Sequence, residues 1–179
     1  MQNIKLPVEI DPVRAAAKKL DYQGIVEKKD LKRLGEMVTS VCSDVQAQVS
    51  FYKDLSGINV ISGSAETSVI LPCQRCGDDF ELALKTQFRY SPDGKLLEQL
   101  DLADDFDCVD LNSFGEINLY DIIEDELILS LPLIARHPIE DCPAAEMIES
   151  MSGDGQGDDG TYSPFAILGD LMKDGNKNK

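Results

Sequence analysis

The alternation of apolar and polar residues between Val45 and Tyr90 constrains the fold more than any other feature of the chain. In three successive stretches every second residue is apolar, and most residues between them are Gln, Ser, Thr or charged. Side chains of a β-strand point alternately to opposite faces, so this period predicts strands with one buried and one solvated face. Turn-forming residues separate the stretches. The pattern predicts an antiparallel β-meander.

Two short N-terminal helices are predicted before the meander. Asp11-Pro12 is typical of an N-cap followed by proline at the first helical position. A second helical segment is predicted around residues 30–38, where apolar residues recur at helical spacing. Basic side chains on a helix are often only a solvated face, but they are also the groups that contact nucleic-acid phosphates. The candidates for such contacts are Arg14, Lys18, Lys19, Lys32 and Arg33.

A longer helix is predicted after the meander. From Leu119 to Leu131 apolar residues recur every three or four positions, and Pro132 ends the pattern. Glu124 and Asp125 are predicted on its exposed side, with Glu126 nearer the apolar boundary, where it can contact a basic side chain. The expected fold class is therefore α+β: an antiparallel β-meander packed with N-terminal helices and one long C-terminal helix.

Two distant fragments together supply the ligands of a metal site. Cys73 and Cys76 form a Cys-x-x-Cys pair, and the only histidine, His137, lies five positions before Cys142. Three thiols and one imidazole are a donor set that suits Zn²⁺. Cys73, Cys76, His137 and Cys142 are accordingly the predicted ligands of a structural zinc ion.

Other interpretations of the two paired cysteines remain open. They can be a redox dithiol, or thiols without metal. Redox pairs usually open a helix, whereas strand-like residues flank this pair and place it at the tip of a hairpin. Asp78 and Asp79 follow directly, and nearby carboxylates are expected to disfavour a thiolate.

Negative charge is concentrated in one part of the chain. The net charge is −16, and residues 91–160 alone carry nineteen acidic against two basic residues. Residues 1–40 carry eight basic against six acidic residues, so a basic surface there can still approach RNA. The acidic stretch can instead contact a basic protein or keep the chain in solution.

The remaining composition indicates one domain without a membrane segment. We expect a single domain over residues 1–149, including a mobile acidic loop at about 91–107, and a flexible linker rich in acidic residues and glycine with a docking tail at 150–179. The sequence has no signal-peptide pattern and no apolar run of bilayer-spanning length. Five cysteines, an odd number, favour a cytoplasmic protein with reduced thiols.

Several motifs in a fixed order resemble one protein family nearly end to end. They are Asp11-Pro12-Val13-Arg14, Leu20-Asp21-Tyr22-Gln23-Gly24-Ile25, Cys73-Gln74-Arg75-Cys76-Gly77, Phe114-Gly115-Glu116-Ile117, the segment from Ile123 to Pro132, and Pro164-Phe165-Ala166-Ile167-Leu168. On these residues the chain resembles the bacterial YceD family of large ribosomal RNA subunit accumulation proteins. In other branches of that family extra cysteines follow the Leu-Pro pair, whereas this chain has only His137 and Cys142 there.

The resemblance implies a factor that supports 23S ribosomal RNA accumulation and assembly of the large ribosomal subunit, with no enzymatic activity and no small-molecule substrate. The implied partner is 23S ribosomal RNA or its precursor, or a basic large-subunit ribosomal protein. A hypothesis follows for the site: zinc clamps the hairpin tip and fixes a surface that includes Arg75, while the N-terminal cations contact RNA phosphates. The rival hypotheses are an acidic adaptor for a basic ribosomal protein and a Cys-x-x-Cys thiol oxidoreductase.

Overall fold

The computed structural model describes residues 5–102 and 105–145. The chain divides into two compact units, residues 1–138 and residues 139–179. The first unit contains the strands and α-helices, and the described part of the second contains a 3₁₀-helix, Ile139–Asp141. The predicted linker and tail at 150–179, and the predicted domain end at residue 149, lie outside the described residues. No helix in the described ranges has both the length and the apolar character needed to cross a bilayer.

Short helices and strands of very different length make up the first unit. The strands are β1 (Glu9–Ile10), β2 (Asp21–Val26), β3 (Ser40–Val41), β4 (Val45–Lys53), β5 (Asn59–Pro72), β6 (Asp79–Ser91), β7 (Asp107–Cys108) and β8 (Ile117–Asn118). The α-helices are α1 (Pro12–Lys18), α2 (Lys32–Met37), α3 (Gly94–Leu100) and α4 (Leu119–Leu129), and a 3₁₀-helix spans Lys28–Asp30. The predicted mixture of helices with a multi-stranded sheet is confirmed.

The larger sheet has the strand order β2-β4-β5-β6-β7, with β3 paired to β5 beside this path. Strands β2, β4, β5 and β6 pair antiparallel, and β7 adds in parallel to the end of β6. The β5–β6 ladder is the longest, running from Ile61 opposite Tyr90 to Pro72 opposite Asp79. Strands β1 and β8 form a separate two-stranded sheet.

The main core lies between one face of the larger sheet and the helices α1, α2 and α4. The inward positions of β4, among them Val45, Val49 and Phe51, are almost completely buried and belong to the same cluster as Leu34 of α2 and Leu127 of α4. Burying a side chain of this kind stabilises the fold by about 1.5–3 kcal/mol. The period-two pattern therefore marks the face that the helices cover.

Helix α1 begins as its capping residues predict. The Asp11 carboxylate accepts a hydrogen bond from the Arg14 backbone N–H at 2.9 Å, and Pro12 occupies the first helical position. Ala15 and Ala16 face the core, and the small size of these residues lets the helix lie close to β4 and β5. The chain leaves the helix at Lys19 in a left-handed conformation, φ 51°.

The prediction that Glu124 lies on the exposed side of α4 is wrong. Its side chain is buried and accepts hydrogen bonds from the Leu34 backbone N–H at 3.1 Å and from Arg33 Nε at 2.9 Å. The Arg33 guanidinium also pairs with Asp125. Helix α2 packs on α4 and brings the Arg33 guanidinium and the Leu34 N–H to this carboxylate. These two partners offset the cost of burying the Glu124 charge.

Glu126 is also buried, but its partners are hydroxyl groups and not the predicted basic side chain. It accepts from Thr86 Oγ1 at 3.0 Å and from Tyr90 Oη at 2.6 Å. Burial, and next the Glu126 carboxylate, raise the pKa of Tyr90, so this phenol remains a proton donor at neutral pH. The contact attaches α4 to β6.

A helix lies in the described part of residues 91–107, which excludes 103 and 104 and for which a mobile acidic loop was predicted. Helix α3 lies within this segment, and its Leu97 forms a second cluster with Ile58, Val60 and Phe106. The Asp93 carboxylate accepts from the Asn59 backbone N–H at 2.7 Å, which ties the start of the segment to β5. Isolated apolar residues in this acidic stretch acquire partners only through the tertiary fold.

Gly63 in β5 is required by the packing of Phe88. A Cβ added at Gly63 would lie 2.4 Å from Phe88 Cζ and 2.9 Å from the Gln48 carbonyl oxygen. We expect Gly63→Ala to lower the free energy of unfolding by about 1–3 kcal/mol, because neither the buried ring nor the strand backbone can move freely. Urea unfolding followed by circular dichroism measures the change.

The matched control is Gly35→Ala in α2. A Cβ there meets nothing within 4 Å, so alanine should raise the unfolding free energy by about 0.5–1 kcal/mol through its helix propensity. Equal stability of Gly63→Ala and the wild-type protein would contradict the assigned packing.

Candidate metal centre

The two paired cysteines lie in the turn of the β5–β6 hairpin, as predicted. Strand β5 ends at Pro72 and β6 begins at Asp79. The Cys73 N–H donates to the Asp78 carbonyl at 2.9 Å, and the Gly77 N–H donates to the Cys73 carbonyl at 2.8 Å. Gly77 has φ 87°, a conformation that glycine adopts without steric cost. The turn thus closes on itself and holds both thiols at the hairpin tip.

Backbone N–H groups surround the sulfur of Cys73, which is buried. The Arg75 N–H lies 3.4 Å from Cys73 Sγ. Burial alone raises the pKa of the Cys73 thiol, but the backbone N–H groups of Cys76, Arg75 and His137 together outweigh it and lower the pKa to about 6. The expectation that adjacent carboxylates disfavour a thiolate is therefore wrong for Cys73, because Asp78 and Asp79 are exposed to solvent while these donors touch the sulfur.

His137 is held against the hairpin tip by contacts within the first unit. The Gln74 N–H donates to the Ala135 carbonyl at 2.8 Å, which joins the tip to the segment leading to the histidine. The ring centroids of Phe80 and His137 are 5.4 Å apart. His137 Nε2 lies 3.8 Å from Cys76 Sγ, and His137 Nδ1 is buried without a hydrogen-bond partner in residues 5–102 and 105–145.

Three of the four predicted ligands lie together in the first unit, and Cys142 belongs to the second unit. The ligand atoms of Cys73, Cys76 and His137 all lie within 4.8 Å of one another. In a tetrahedral zinc site with Zn–S bonds of about 2.3 Å, neighbouring sulfur atoms are about 3.8 Å apart, so a small contraction of the group suffices. The thiolate-stabilising donors at Cys73 and the buried ring nitrogen without a partner both fit a bound cation.

The predicted RNA-binding cations differ in their surroundings. Lys18, Lys19 and Lys32 are exposed on α1, its C-cap and α2. Arg14 is also exposed, and its guanidinium pairs with Asp11 at 3.0 Å. A surface pair of this kind contributes little to stability, so Arg14 can exchange its partner at small cost.

Arg33 and Arg75 are each constrained by their surroundings. Arg33 is already paired with the carboxylates of Glu124 and Asp125, so its cation serves the contact between α2 and α4. Arg75 is partly buried beside the paired thiols, and its Nη1 atom has no hydrogen-bond partner in the described part of the chain.

The supporting groups around the thiols were missed by sequence reasoning. Nearly every residue has a backbone N–H group, so these donors cannot be recognised from residue types. Neither the Ala135 carbonyl nor the Phe80 ring belongs to a known ligand pattern. The Gly77 that follows the second cysteine was the only local signal of a tight turn around the sulfur.

Comparison with known proteins gives a consistent result. The family described as large ribosomal RNA subunit accumulation protein YceD matches residues 61–172. The large ribosomal RNA subunit accumulation protein YceD of Haemophilus influenzae is 37% identical over 173 residues, covering 97% of this chain and 99% of that relative. The chain belongs to the YceD family. The part matched by the family includes β6, α4 and all four candidate metal ligands. No solved structure matches the chain significantly.

The lowered pKa of Cys73 predicts a thiolate at neutral pH in the folded, metal-free protein. The difference in absorbance at 240 nm between the wild type and Cys73→Ser, recorded in reductant and chelator, should show a step at about pH 6. In denaturant the step should move to about 8.5, the value of an ordinary thiol.

The difference between the folded and unfolded pKa of Cys73 determines how its contribution to stability changes with pH. Because the folded state has the lower pKa, the contribution of Cys73 is complete above the unfolded value and is lost as pH falls through about 6. A folded-state step near the denatured one would contradict the assigned N–H contacts.

Proposed function

We propose that this protein is a non-enzymatic cytoplasmic factor that supports accumulation of 23S ribosomal RNA and assembly of the large ribosomal subunit. The observation that carries the proposal is the match, over nearly the full length of both chains, to a protein named for large ribosomal RNA subunit accumulation. The family match over residues 61–172 also supports it.

We further propose that Cys73, Cys76, His137 and Cys142 hold one structural Zn²⁺. When bound, zinc would link the hairpin tip to the segment that follows α4, in place of side-chain packing that a turn of this size cannot supply. Support comes from the spacing of the ligand atoms and from the N–H donors that favour a thiolate at Cys73. Four protein ligands leave no position for a substrate, which favours a structural role over a catalytic one.

The proposed contact with RNA uses the exposed cations on the helices that cover the sheet. Lys18, Lys19 and Lys32 are the strongest candidates, and Arg14 can join them by leaving Asp11. Arg75 would contribute from the rim of the metal centre. Arg33 is not included, because breaking its pair with Glu124 would leave a buried carboxylate without its cation.

A second candidate function, thiol–disulfide exchange, is favoured by one observation. The pKa of Cys73 is lowered to about 6, and a low thiol pKa is typical of redox dithiols. Metal-thiolate sites require the same deprotonation, so metal content separates the two functions. Disulfide reductase activity that Cys73→Ser abolishes, in protein without zinc, would favour the redox function.

Zinc content tests the metal proposal directly. Untagged protein purified without chelator should contain about one equivalent of zinc, whereas Cys73→Ser and Cys76→Ser should contain less than about a tenth. Cys42→Ser is the matched control and should retain the metal, since Cys42 is outside the ligand group. Plasma mass spectrometry gives the stoichiometry. Wild-type protein with less than about a tenth of an equivalent would contradict a zinc site.

Charge reversal tests the RNA contact. Lys18→Glu/Lys32→Glu should weaken binding to transcribed 23S RNA and reduce the slope of log affinity against log salt by about two, one per lost phosphate contact. Lys53→Glu/Lys95→Glu makes the same charge change at exposed lysines elsewhere and should have a smaller effect. Fluorescence anisotropy between about 50 and 200 mM salt measures both.

The proposed role in large-subunit assembly is tested in cells that lack the protein. The wild-type gene should restore large subunits and 23S RNA on sucrose gradients, and the Lys18→Glu/Lys32→Glu gene should not. Normal 23S RNA levels without the protein would remove the proposed function, whereas restoration by the variant would remove only the proposed contact.

A further inference from the structure

Within the part of the chain that the structure describes, the second face of the larger sheet is covered only at one end. Val60 and Ile61 are neighbours in β5 and point to opposite faces. Ile61 belongs to the main core, while Val60 packs with Ile58, Leu97 and Phe106 in the second cluster. Helix α3 and the segment around Phe106 therefore form a wall across one end of this face.

Beside this wall is a groove of about 620 Å³. Its floor consists of two rows of side chains that cross the strands β4, β5 and β6. In one row Gln48 is opposite Ser64, which is opposite Gln87; in the other Ser50 is opposite Ser62, which is opposite Arg89. All six line the groove. Five of them are neutral groups whose oxygen atoms can accept hydrogen bonds.

The charged groups of the groove are mostly acidic. Asp105, Asp107 and Glu126 line it together with a single cation, Arg89. The Arg89 guanidinium stacks on the Phe106 ring, 4.6 Å from its centroid, so it already has a partner. Glu126 is fixed by the Thr86 and Tyr90 hydroxyls, while Asp105 and Asp107 are exposed.

One side of the groove also offers backbone hydrogen-bonding groups. Strand β6 contributes Gln87, Phe88 and Arg89 to the lining, and β7 pairs only with Tyr90 and Ser91. Among the described residues, the edge of β6 before Tyr90 therefore has no strand partner. An extended polypeptide can add to such an edge, whereas RNA has no comparable backbone pattern.

From these observations we infer that the groove binds an arginine-bearing, extended segment of a basic protein. A guanidinium has five donors and no acceptor, which matches carboxylates, amide oxygens and hydroxyls. The exposed carboxylates of Asp105 and Asp107 attract a basic segment and repel a polyanion, so the charge of the groove favours protein over RNA. This inference goes beyond the proposed RNA role and does not depend on it.

The position of the groove separates it from the proposed RNA contact. Helices α1 and α2, which carry Lys18 and Lys32, pack on the opposite face of the sheet from Val60 and the groove floor. One molecule can therefore bind RNA through the helices and a basic protein through the groove. An assembly factor with these two surfaces would hold an RNA and its basic protein partner near each other.

Binding of fluorescein-labelled octa-arginine to the full chain, followed by anisotropy at about 150 mM salt, tests the inference. We expect saturable binding that Asp105→Asn/Asp107→Asn weakens by about tenfold. Glu9→Gln/Glu36→Gln makes the same change of net charge at exposed acids outside the groove and should change affinity by less than about twofold.

A second variant separates the groove from its charge. Ser64 is exposed on the floor, and Ser64→Trp should block the groove and weaken octa-arginine binding while every carboxylate stays in place. Thermal unfolding of each variant checks that the fold is retained. Equal weakening by the groove and control variants, or unchanged binding in Ser64→Trp, would overturn the inference.

The last part of this test uses RNA, first as a competitor of octa-arginine and then as a ligand of the variants. A 12-nucleotide single-stranded RNA should not compete with octa-arginine for the groove, and the groove variants should retain the wild-type affinity for 23S RNA. Loss of RNA binding in the groove variants would make RNA the occupant and overturn the inference. Loss of RNA binding only in Lys18→Glu/Lys32→Glu would support the RNA contact and leave the groove result to be judged by itself.

Discussion

The register of the β5–β6 ladder is the constraint on which the rest of the structure depends. A shift of one residue would turn every side chain of a strand to the other face. The observed register places Phe88 over Gly63 on the core side and Ser62 beside Arg89 on the other side. It also brings Pro72 opposite Asp79, so the hairpin turn contains both paired cysteines. Core, groove floor and thiol geometry are thus consequences of one hydrogen-bonded ladder.

Helix α4 shows how a strongly acidic chain can bury carboxylates. Glu124 is satisfied by a guanidinium and a backbone N–H, whereas Glu126 is satisfied by two hydroxyls of β6. Burial of an unpaired carboxylate costs far more than either arrangement, so each contact also fixes where the helix lies. Arg33 is therefore a structural cation, although its position among other basic residues resembled a surface for phosphate binding.

The hairpin tip, the helices and the groove give separate surfaces of the first unit different chemical character. Backbone N–H groups favour the thiolate form of Cys73 at the hairpin tip. The helices on one face of the sheet expose lysines, and the groove on the other face is lined by carboxylates and neutral acceptors. In the two proposals, RNA and a basic protein would bind on opposite faces of the sheet and would not compete for one surface.

Local features of this protein were determined by its sequence, and the partners of its charged groups were decided by the tertiary structure. The N-cap at Asp11, the alternation in β4 and the cysteine turn after Pro72 depend on neighbours a few positions away, so a pattern suffices to predict them. The burial of Glu124, the pairing of Arg33 and the packing of Leu97 depend on residues tens of positions distant. The same is true of the low pKa of Cys73, since backbone N–H groups look alike in every sequence. Electrostatic and packing energies depend on distance in space, and only the fold sets that distance.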